Sequence, residues 1–362
     1  MKIAIDISAV VYGTGVSVYT KNLVENILKI DKKNDYLLFG GSLRKKREIH
    51  NFLTSLRGNS VHNKVFSIPP TFADFLWNKL HILPIENIIG NIDVFHSSDW
   101  TQPPSGAFKV TTIHDLVPLK LPQLSDPKLV STHKARLKWV KKEADRIIVP
   151  SQSTLEDCRE LGFRKEILRV IPEATSLNFL SIKNAEILNL KRKYRISGKY
   201  ILSVGVNPRK NTDRIIQAFE KIKAETGYKL VIIGHKYVDF HFERGVIFTG
   251  HISQEDLAVF YSGAEALVYP SLYEGFGIPI LEAFVSKTPV VTTNFGSMAE
   301  IAGKAAVLVD PFSIDSIAEG ILEAIKNKQK LVKFALRRAK NFSWEKTAKK
   351  TLNVYKEFGG KL

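Results

Sequence analysis

Cysteine is almost absent from this chain, since Cys158 is the one cysteine among 362 residues. A single cysteine excludes an internal disulfide and any cysteine-rich metal site. Long apolar runs are absent too, because none approaches the ~20 residues of a membrane-spanning helix. The first ten residues, MKIAIDISAV, are typical of a strand and lack the charged leader and small-residue cleavage site of a signal peptide. We therefore predict a cytoplasmic protein.

Several motifs of common enzyme classes are missing as well. The chain has no Gly-x-x-x-x-Gly-Lys-Ser/Thr loop, which excludes a P-loop nucleotidase. It has no Gly-x-Ser-x-Gly elbow and no histidine spacing typical of a metal site. Asp-x-Asp, the usual carboxylate pair for a metal-bound nucleotide sugar, does not occur either. The sequence therefore predicts a protein that requires no metal and no other cofactor.

Acidic residues are fewer than basic ones: 53 Lys and Arg stand against 36 Asp and Glu, a net charge of +17. Both halves of the chain share this excess, so it does not form a basic tail. Nucleic acid, anionic lipid headgroups or a phosphorylated substrate would suit such a surface, and a solvated lysine-rich surface is the ordinary alternative. Because no recognised nucleic-acid-binding module is present, nucleic acid is the least favoured partner and we expect none.

Short apolar runs rich in Val and Ile alternate with longer amphipathic stretches along most of the chain. Such runs predict parallel strands covered by helices on both faces. The first set lies at residues 2–8, 36–40, 93–98, 109–116, 145–151 and 167–174, and the second at 200–205, 229–234, 246–251, 266–271, 289–294 and 305–311. We therefore predict an α/β fold with two Rossmann-like, doubly wound domains that face each other across a cleft.

The break between the two sets is a strand-poor, basic stretch near residues 175–198. We place an N-terminal domain at 1–178 and a C-terminal domain at 179–342. The last segment, 343–362, is predicted to be a helix capped by Ser343 that crosses back to the N-terminal domain.

The segment YEGFGIPILEA (273–283) carries two carboxylates, Glu274 and Glu282, on either side of a glycine turn that opens a helix. Gly275 and Gly277 allow the backbone to approach a ligand, and the free N–H groups of a helix start attract an anion. A plain strand–turn–helix connection with two ordinary acids is the alternative. The pattern favours a ligand site in which the two acids have different tasks.

Arg209 and Lys210 follow the predicted strand YILSVG (200–205) and precede a helical stretch. Two cations at the carboxyl edge of a sheet, beside helix N–H groups, would suit a pyrophosphate. Exposed loop charges are the equally weighted alternative.

Two weaker signals come from the first half of the chain. Gly15 lies in the Tyr-Gly-Thr-Gly turn after the first strand, which resembles a phosphate-binding turn but lacks the third glycine of the dinucleotide motif. His114 ends the strand KVTTIHDL and could bind a substrate hydroxyl, or it could be a buried histidine with internal partners.

With these residues in view, the chain resembles the retaining glycosyltransferases of family four, also called group 1, which have the GT-B fold. The Glu-x7-Glu spacing from Glu274 to Glu282 is the most specific element of the resemblance. Further matching motifs occur in the expected order: the His-Asp turn at 114–115, PSQST at 150–154, Pro-Arg-Lys-Asn at 208–211, TGHIS at 249–253 and the FSW-initiated terminal helix.

The resemblance implies that the second domain binds a nucleotide-diphosphate sugar. Arg209 and Lys210 would neutralise the pyrophosphate, Glu282 would hold the ribose, and Glu274 would hold hydroxyls of the donor sugar. The backbone of Gly275, Phe276 and Gly277 and the residue Ile252 would complete the donor site.

The resemblance also implies that the first domain binds the acceptor. His114 would lie near the anomeric carbon, and Gly15 would approach the phosphates. Many family members have an arginine directly after the glycine that ends the strand, where this chain has Val206. Lys210 therefore matches the family pattern, and Arg209 is the candidate to replace the missing arginine.

The expected activity is retaining, metal-independent transfer of a hexosyl group such as mannosyl to a saccharide or lipid-linked glycan, as in cell-surface polysaccharide synthesis. Glu274, His114 and Lys210 are the expected catalytic residues. A sugar phosphorylase or a nucleotide-sugar epimerase on the same fold is the alternative. Residues 42–50 and 75–83 are basic and aromatic and could contact an anionic membrane peripherally. A solvated lysine face over a buried aromatic cluster is the favoured alternative.

Overall fold

The protein is described here by a computed structural model that covers residues 1–56, 61–175, 182–238, 240 and 244–361. Its internal contacts divide the chain into two compact units. The first is Met1–Ser176 together with Ser343–Leu362, and the second is Leu177–Phe342. The predicted boundary at 178/179 lies outside the described residues. The terminal segment beginning at Ser343 belongs to the first unit.

The first unit contains a seven-stranded sheet in the order β3-β2-β1-β4-β5-β6-β7, with every neighbouring pair parallel. Its strands are β1 (Lys2–Asp6), β2 (Asp35–Gly41), β3 (Val61–Phe66), β4 (Val94–Ser97), β5 (Phe108–Thr112), β6 (Arg146–Val149) and β7 (Leu168–Val170). Its helices are α1 (Gly15–Ile30), α2 (Lys46–Ser55), α3 (Pro70–Ala73), α4 (Glu86–Ile89), α5 (Val117–Lys120), α6 (Pro127–Glu143), α7 (Gln152–Glu160) and, from the terminal segment, α15 (Trp344–Lys356).

The second unit contains a six-stranded parallel sheet in the order β10-β9-β8-β11-β12-β13. Its strands are β8 (Tyr200–Val204), β9 (Lys229–Ile233), β10 (Val246–Phe248), β11 (Leu267–Tyr269), β12 (Val290–Thr293) and β13 (Val307–Val309). Its helices are α8 (Asn184–Lys193), α9 (Thr212–Thr226), α10 (Gln254–Gly263), α11 (Ile278–Val285), α12 (Gly296–Ala302), α13 (Ile314–Lys326) and α14 (Lys328–Ala339). The predicted fold class, two doubly wound parallel sheets, is confirmed.

Each sheet reverses its strand order once, between β1 and β4 in the first unit and between β8 and β11 in the second. The loops that leave the carboxyl ends of these two strand pairs diverge to opposite faces, which opens a crevice where ligands of doubly wound sheets bind. The segments that carry Gly15, Lys210 and Glu274 follow β1, β8 and β11 at these positions, whereas His114 follows β5.

The apolar runs coincide with strands because both faces of each sheet are covered at its centre, where every residue of β4, β11 and β12 is buried. The strand β3 was not predicted. Its sequence VHNKVF is half polar and most of its residues are exposed or partly exposed, because β3 is the edge strand of its sheet. An edge strand lacks the continuous apolar run on which the prediction depended.

The terminal helix α15 packs against α1 within the first unit. Ser343 is its N-cap, and the hydroxyl accepts a hydrogen bond from the Lys346 N–H at 3.3 Å. On the buried side, the Tyr355 hydroxyl lies 2.6 Å from Nδ1 of His96 on β4. The helix is thus attached to the sheet by a buried polar contact as well as by apolar packing.

Candidate active site

The Pro-Arg-Lys-Asn segment follows β8 as a single 3₁₀ turn, Pro208–Lys210. Asn207 caps this turn, because its Oδ1 accepts a hydrogen bond from the Lys210 N–H at 2.9 Å. Asn211 is buried in a left-handed conformation (φ 64°), and its Nδ2 donates to the carbonyl oxygens of Pro270 and Pro311 at 3.1 and 2.6 Å. The asparagine thereby holds the turn against the loops that leave β11 and β13.

These contacts bring Arg209 and Lys210 to Glu274, which lies in the loop after β11. Oε1 of Glu274 is 2.6 Å from Nζ of Lys210 and 2.5 Å from Nη1 of Arg209. Arg209 also donates to the Tyr273 carbonyl at 2.7 Å, and Lys210 contacts the Tyr269 hydroxyl. Two cations and one carboxylate therefore meet at the carboxyl end of the β8–β11 pair.

The ionic contacts determine the protonation state of Glu274. Burial acts to raise its pKa, but the charges of Lys210 and Arg209 outweigh burial and lower the pKa to about 2. Glu274 is thus a carboxylate at any physiological pH.

Gly205 explains how the lysine reaches this position. It has a φ of +88°, and a Cβ atom there would lie 3.2 Å from Cε of Lys210. The lysine side chain therefore lies across the glycine backbone. Val206, which occupies the family's arginine position, packs against an apolar cluster of the second unit. The guanidinium near Glu274 is consequently that of Arg209.

The glycine turn and α11 place the next predicted residues. Gly277 has a φ of +105°, which strongly favours glycine, and it is the N-cap of α11, whose first turn contains Pro279. Phe276 is buried and its ring lies 5.9 Å from that of Phe342, so only its backbone is available to a ligand. Gly275 lies in the turn between Glu274 and these residues.

Glu282 lies on α11 and is almost fully buried. Its Oε2 accepts a hydrogen bond from the Tyr261 hydroxyl at 2.7 Å. Burial raises the pKa of Glu282 to about 7, and the Tyr261 hydrogen bond and the Lys210 charge offset part of that rise. The two glutamates, eight positions apart, therefore have pKa values displaced in opposite directions.

Ile252 precedes α10 and is partly buried. It packs against the apolar cluster that contains Phe276 and Leu281. The structure places it on the same core as α11 and gives it no polar contact.

In the first unit, His114 follows β5, and its Nδ1 lies 2.9 Å from Oε1 of Glu173. The Tyr19 ring approaches the imidazole edge-on at 4.5 Å. Burial acts to lower the pKa of His114, but Glu173 outweighs burial and raises it. Glu173 was not recognised from sequence, although an acid directly after a strand end, in VIPEA, is the same kind of signal as Glu274.

Tyr19, which contacts the His114 ring, begins a buried chain of hydrogen bonds. Tyr19 and Thr112 are 3.3 Å apart through their oxygens, Thr112 Oγ1 is 2.9 Å from Nε2 of His96, and His96 continues to Tyr355. Burial lowers the pKa of His96 to about 3, and the charges of His114 and Arg136 add to this. His96 is therefore a neutral structural histidine.

Gly15 is the first residue of α1, where Thr14 and Ser17 form a reciprocal capping box. Apart from its chain neighbours and the backbone of its own helix, no atom of the described residues lies within 4 Å of the position that a Gly15 Cβ would take. The structure thus leaves open space at the start of α1, beside the carboxyl end of β1.

A cavity of about 350 Å³ opens at the carboxyl ends of β1, β2 and β4. Its walls are mainly apolar and aromatic, with Tyr12, Trp77 and Trp100 among them, and Asp74 and Asp126 also line it. Ser98 lines both this cavity and a smaller one of about 20 Å³ that His114 lines. Sequence reasoning did not find this cavity, because its lining residues come from five separate stretches of chain.

Among the described residues, no group of three or more His, Cys, Asp or Glu side chains is arranged to hold a metal ion. Over the same part of the chain, no helix combines the length and the apolar character that crossing a membrane requires.

The two halves of the chain match two family models. Residues 13–179 match the model described as Glycosyltransferase Family 4, and residues 187–341 match Glycosyl transferases group 1. The O-antigen chain mannosyltransferase B of Escherichia coli is 30% identical over 281 residues, which cover 73% of this chain and 74% of the relative. The serotype-specific mannosyltransferase WbdA of Escherichia coli is 29% identical over 262 residues, but this chain spans only 32% of its length.

A similar fold occurs in the crystal structure of Anabaena HepE in complex with UDP-glucose. The TM-score is 0.73 at 14% identity, and the alignment covers 99% of this chain and 100% of the other. At that identity the likeness concerns the fold.

Proposed function

This chain belongs to the group 1 glycosyltransferases of family 4 and has their GT-B fold, and on that premise we propose its reaction. It is a retaining, metal-independent hexosyltransferase that uses a nucleotide-diphosphate sugar. The acceptor is a hydroxyl group of a saccharide or of a lipid-linked glycan. The mannosyltransferase relatives favour mannose as the transferred sugar and polysaccharide synthesis as the setting.

The observation that carries the proposal is the cluster of Arg209, Lys210 and Glu274 at the end of β8 and β11. A diphosphate leaving group gains negative charge as the sugar departs, so fixed cations stabilise the transition state more than the ground state. Arg209 and Lys210 supply two positive charges at one place. This is the charge that a divalent metal supplies in other transferases, which supports a reaction without a metal.

The same cluster supports a task for Glu274. When diphosphate oxygens pair with Arg209 and Lys210, they compete with the carboxylate for the two cations. Glu274 then becomes available to accept hydrogen bonds from hydroxyl groups of the sugar, with the Gly275–Gly277 backbone beside it. Glu282, one helix turn into α11, holds the ribose hydroxyls.

The configuration of the anomeric carbon is retained because the acceptor attacks the same face of the sugar from which the diphosphate departs. The acceptor oxygen forms its bond to the anomeric carbon as the bond from that carbon to the diphosphate oxygen breaks, and the acceptor proton passes to the departing diphosphate. A glycosidase-type pair would need a second carboxylate about 5–5.5 Å from the first on the other side of the bond. Glu282 is already engaged by Tyr261 and is assigned to the ribose, so it does not take that task.

The acceptor binds in the first unit. The aromatic cavity of about 350 Å³ has the size and the lining of a small-molecule site. Through Ser98 it adjoins the smaller cavity of His114. Glu173 fixes the His114 ring through Nδ1, so that its other nitrogen, Nε2, is available to a substrate hydroxyl.

The test measures sugar transfer and donor hydrolysis by the purified protein against a panel of nucleotide sugars. Glu274→Ala should lower kcat at least about 100-fold and leave the Kd of the nucleoside diphosphate within a few-fold, because the carboxylate contacts the sugar. Glu255→Ala, on the exposed start of α10, is the matched control. Unchanged turnover in Glu274→Ala would contradict the assignment.

The same assay distinguishes the alternative reactions. Activity that persists with a chelator supports transfer without a metal. A sugar phosphate formed from inorganic phosphate would identify a phosphorylase, and a changed sugar without any acceptor would identify an epimerase.

A further inference from the structure

The segment between β3 and β4 exposes an unusual number of large apolar side chains. Within twelve residues the exposed fractions are 54% for Phe72, 49% for Phe75, 48% for Leu80, 52% for Ile82 and 40% for Leu83. We call these five side chains the apolar ridge. Single exposed apolar residues are ordinary, but a group of this size marks an interaction surface.

The ridge lies on the solvent side of a segment whose other side forms one wall of the 350 Å³ cavity. The residues of α3 and of the following π-helical segment, Asp74–Leu80, alternate between the two sides. Thr71, Ala73 and Trp77 line the cavity, whereas Phe72 and Phe75 are directed to solvent. The segment is therefore apolar on both sides. A surface helix that packs on the core with one side normally has polar residues on the other.

Lysines of α6 border the ridge. Lys134, Lys138 and Lys142 occur at intervals of four residues on one face of that helix, and all three are exposed. Nζ of Lys138 and of Lys142 lie 5.2 and 5.3 Å from the centre of the Trp139 ring. The lysines and this ring thus form a single basic and aromatic surface.

Trp139 joins α6 to the ridge segment. Its ring stacks on His81 at 3.7 Å with an interplanar angle of 5°, and its Nε1 donates to the Asn78 carbonyl at 2.8 Å. His81 lies between Leu80 and Ile82 in sequence, so the lysines and the ridge adjoin. Lys79, also exposed, lies within the segment itself.

Two acids adjoin this surface, Asp74 and Glu143, and both are partly buried with partners of their own. Asp74 accepts a hydrogen bond from Asn78 at 2.8 Å and lies 4.0 Å from Nζ of Lys79, and Glu143 lies 3.2 Å from Nε2 of His81. The exposed charge beside the ridge is therefore predominantly positive.

We propose that the apolar ridge and the adjoining lysines Lys79, Lys134, Lys138 and Lys142 bind the surface of an anionic lipid bilayer. Phe72, Phe75 and the ridge leucines enter the boundary between headgroups and acyl chains, and the lysines pair with lipid phosphates. Lysine is depleted at the centre of protein interfaces, whereas lysine bordering large apolar side chains is typical of membrane-surface helices. Of the two segments predicted to contact a membrane, residues 75–83 contribute to this surface.

The position of the ridge has a consequence that rests on the proposed function. Because the same segment separates the ridge from the cavity, a protein attached by the ridge holds its acceptor site at the bilayer surface. A lipid-linked glycan is then the acceptor class that this arrangement favours.

The test is flotation of the full-length protein with vesicles of phosphatidylcholine, with and without phosphatidylglycerol. We expect binding to the anionic vesicles that weakens with salt. Phe72→Ser combined with Phe75→Ser should lower the partition coefficient at least about tenfold, and Lys134→Glu combined with Lys138→Glu should lower it by a similar factor at low salt only. The matched controls are Leu188→Ser and Lys330→Glu combined with Lys333→Glu, all at exposed positions of the second unit, and these should bind as the wild type does.

Equal loss in the control variants, or no wild-type binding to anionic vesicles, would overturn the proposal. So would capture by an acidic protein without any vesicle binding. Hydrolysis of the nucleotide sugar in solution should be unchanged in the ridge variants, since the ridge side chains do not line the cavity. Absence of all glycosyltransfer would contradict the proposed function and leave the flotation result valid.

Discussion

The two units of this protein share one strand order, to which the first unit adds a seventh strand, but they prepare their ligand sites in different ways. In the second unit, Arg209, Lys210 and Glu274 meet at one sheet edge as charges in direct contact. In the first unit, the corresponding edge carries an aromatic cavity and one His–Glu hydrogen bond. A diphosphate has a fixed shape and charge, and a compact cluster of cations suits it. A glycan is recognised by shape over a larger, mainly uncharged surface.

Removing a cation from the second unit should have the largest effect on turnover. Lys210→Ala is expected to lower kcat about 100- to 1,000-fold, because one fixed group that stabilises developing charge in a shielded site has this weight. Steady-state kinetics with saturating acceptor measure it. The control is Lys221→Ala, whose lysine is exposed and pairs with Asp315. A loss under tenfold would mean that the cluster is not the diphosphate site.

Changing the cavity of the first unit should separate the two substrates. Trp100→Ala is expected to raise the KM for the acceptor about tenfold or more, because an aromatic wall is removed, and to leave donor hydrolysis close to wild type. Kinetics with each substrate varied in turn measure this. If the KM for the donor rose instead, the division of substrates between the units would be wrong.

In the second unit, the raised pKa of Glu282 should make donor binding depend on pH. Glu282 has a pKa raised to about 7, and its ionised form is the better acceptor for ribose hydroxyls. Donor affinity should therefore increase a few-fold as pH rises through about 7, and in Glu282→Gln the dependence should disappear. Isothermal titration between pH 5.5 and 8.5, a range of about three units around that pKa, measures it. A pH-dependent Glu282→Gln would assign the titration to another group.

The displaced pKa values of Glu282 and Glu274 also make the free energy of unfolding depend on pH, and the two glutamates act in opposite directions. Because the pKa of Glu282 is higher in the folded state than in the unfolded state, its contribution to the free energy of unfolding decreases as pH rises from about 4.5 to about 7. Glu274, with a folded pKa of about 2, stabilises the fold above pH 4.5, and that contribution is lost only as pH falls toward 2.

The smallest expected effect concerns the attachment of α15 in the first unit. Tyr355→Phe removes the hydrogen bond to His96 and should lower the free energy of unfolding by about 1–2 kcal/mol, because it leaves a buried nitrogen without its partner. Urea unfolding followed by tryptophan fluorescence measures it. Tyr237→Phe, at an exposed tyrosine, should change stability by less than about 0.5 kcal/mol. Equal effects would show that the hydrogen bond contributes nothing specific.

The site residues that sequence reasoning identified belong to short, contiguous motifs at strand ends. Lys210 and Glu274 are examples, since each follows an apolar run directly and the parallel topology brings those ends together. Glu173 follows β7 in a similar way but lies inside the predicted apolar run at 167–174, which hides it as a site residue. Asn211 was noted only as part of a turn, because its two carbonyl partners come from distant loops.

The sequence by itself determined the two parallel sheets, because fully covered strands require continuous apolar runs, and it determined which residues stand at the ends of those strands. Only the tertiary structure decided which of those residues touch. It joined Arg209 to Glu274 where the family's arginine position holds Val206, because the buried Asn211 holds the turn against two other loops. It also placed one wall of the cavity and the ridge on opposite sides of a single segment, because the side of a helix that each residue takes depends on what packs against it.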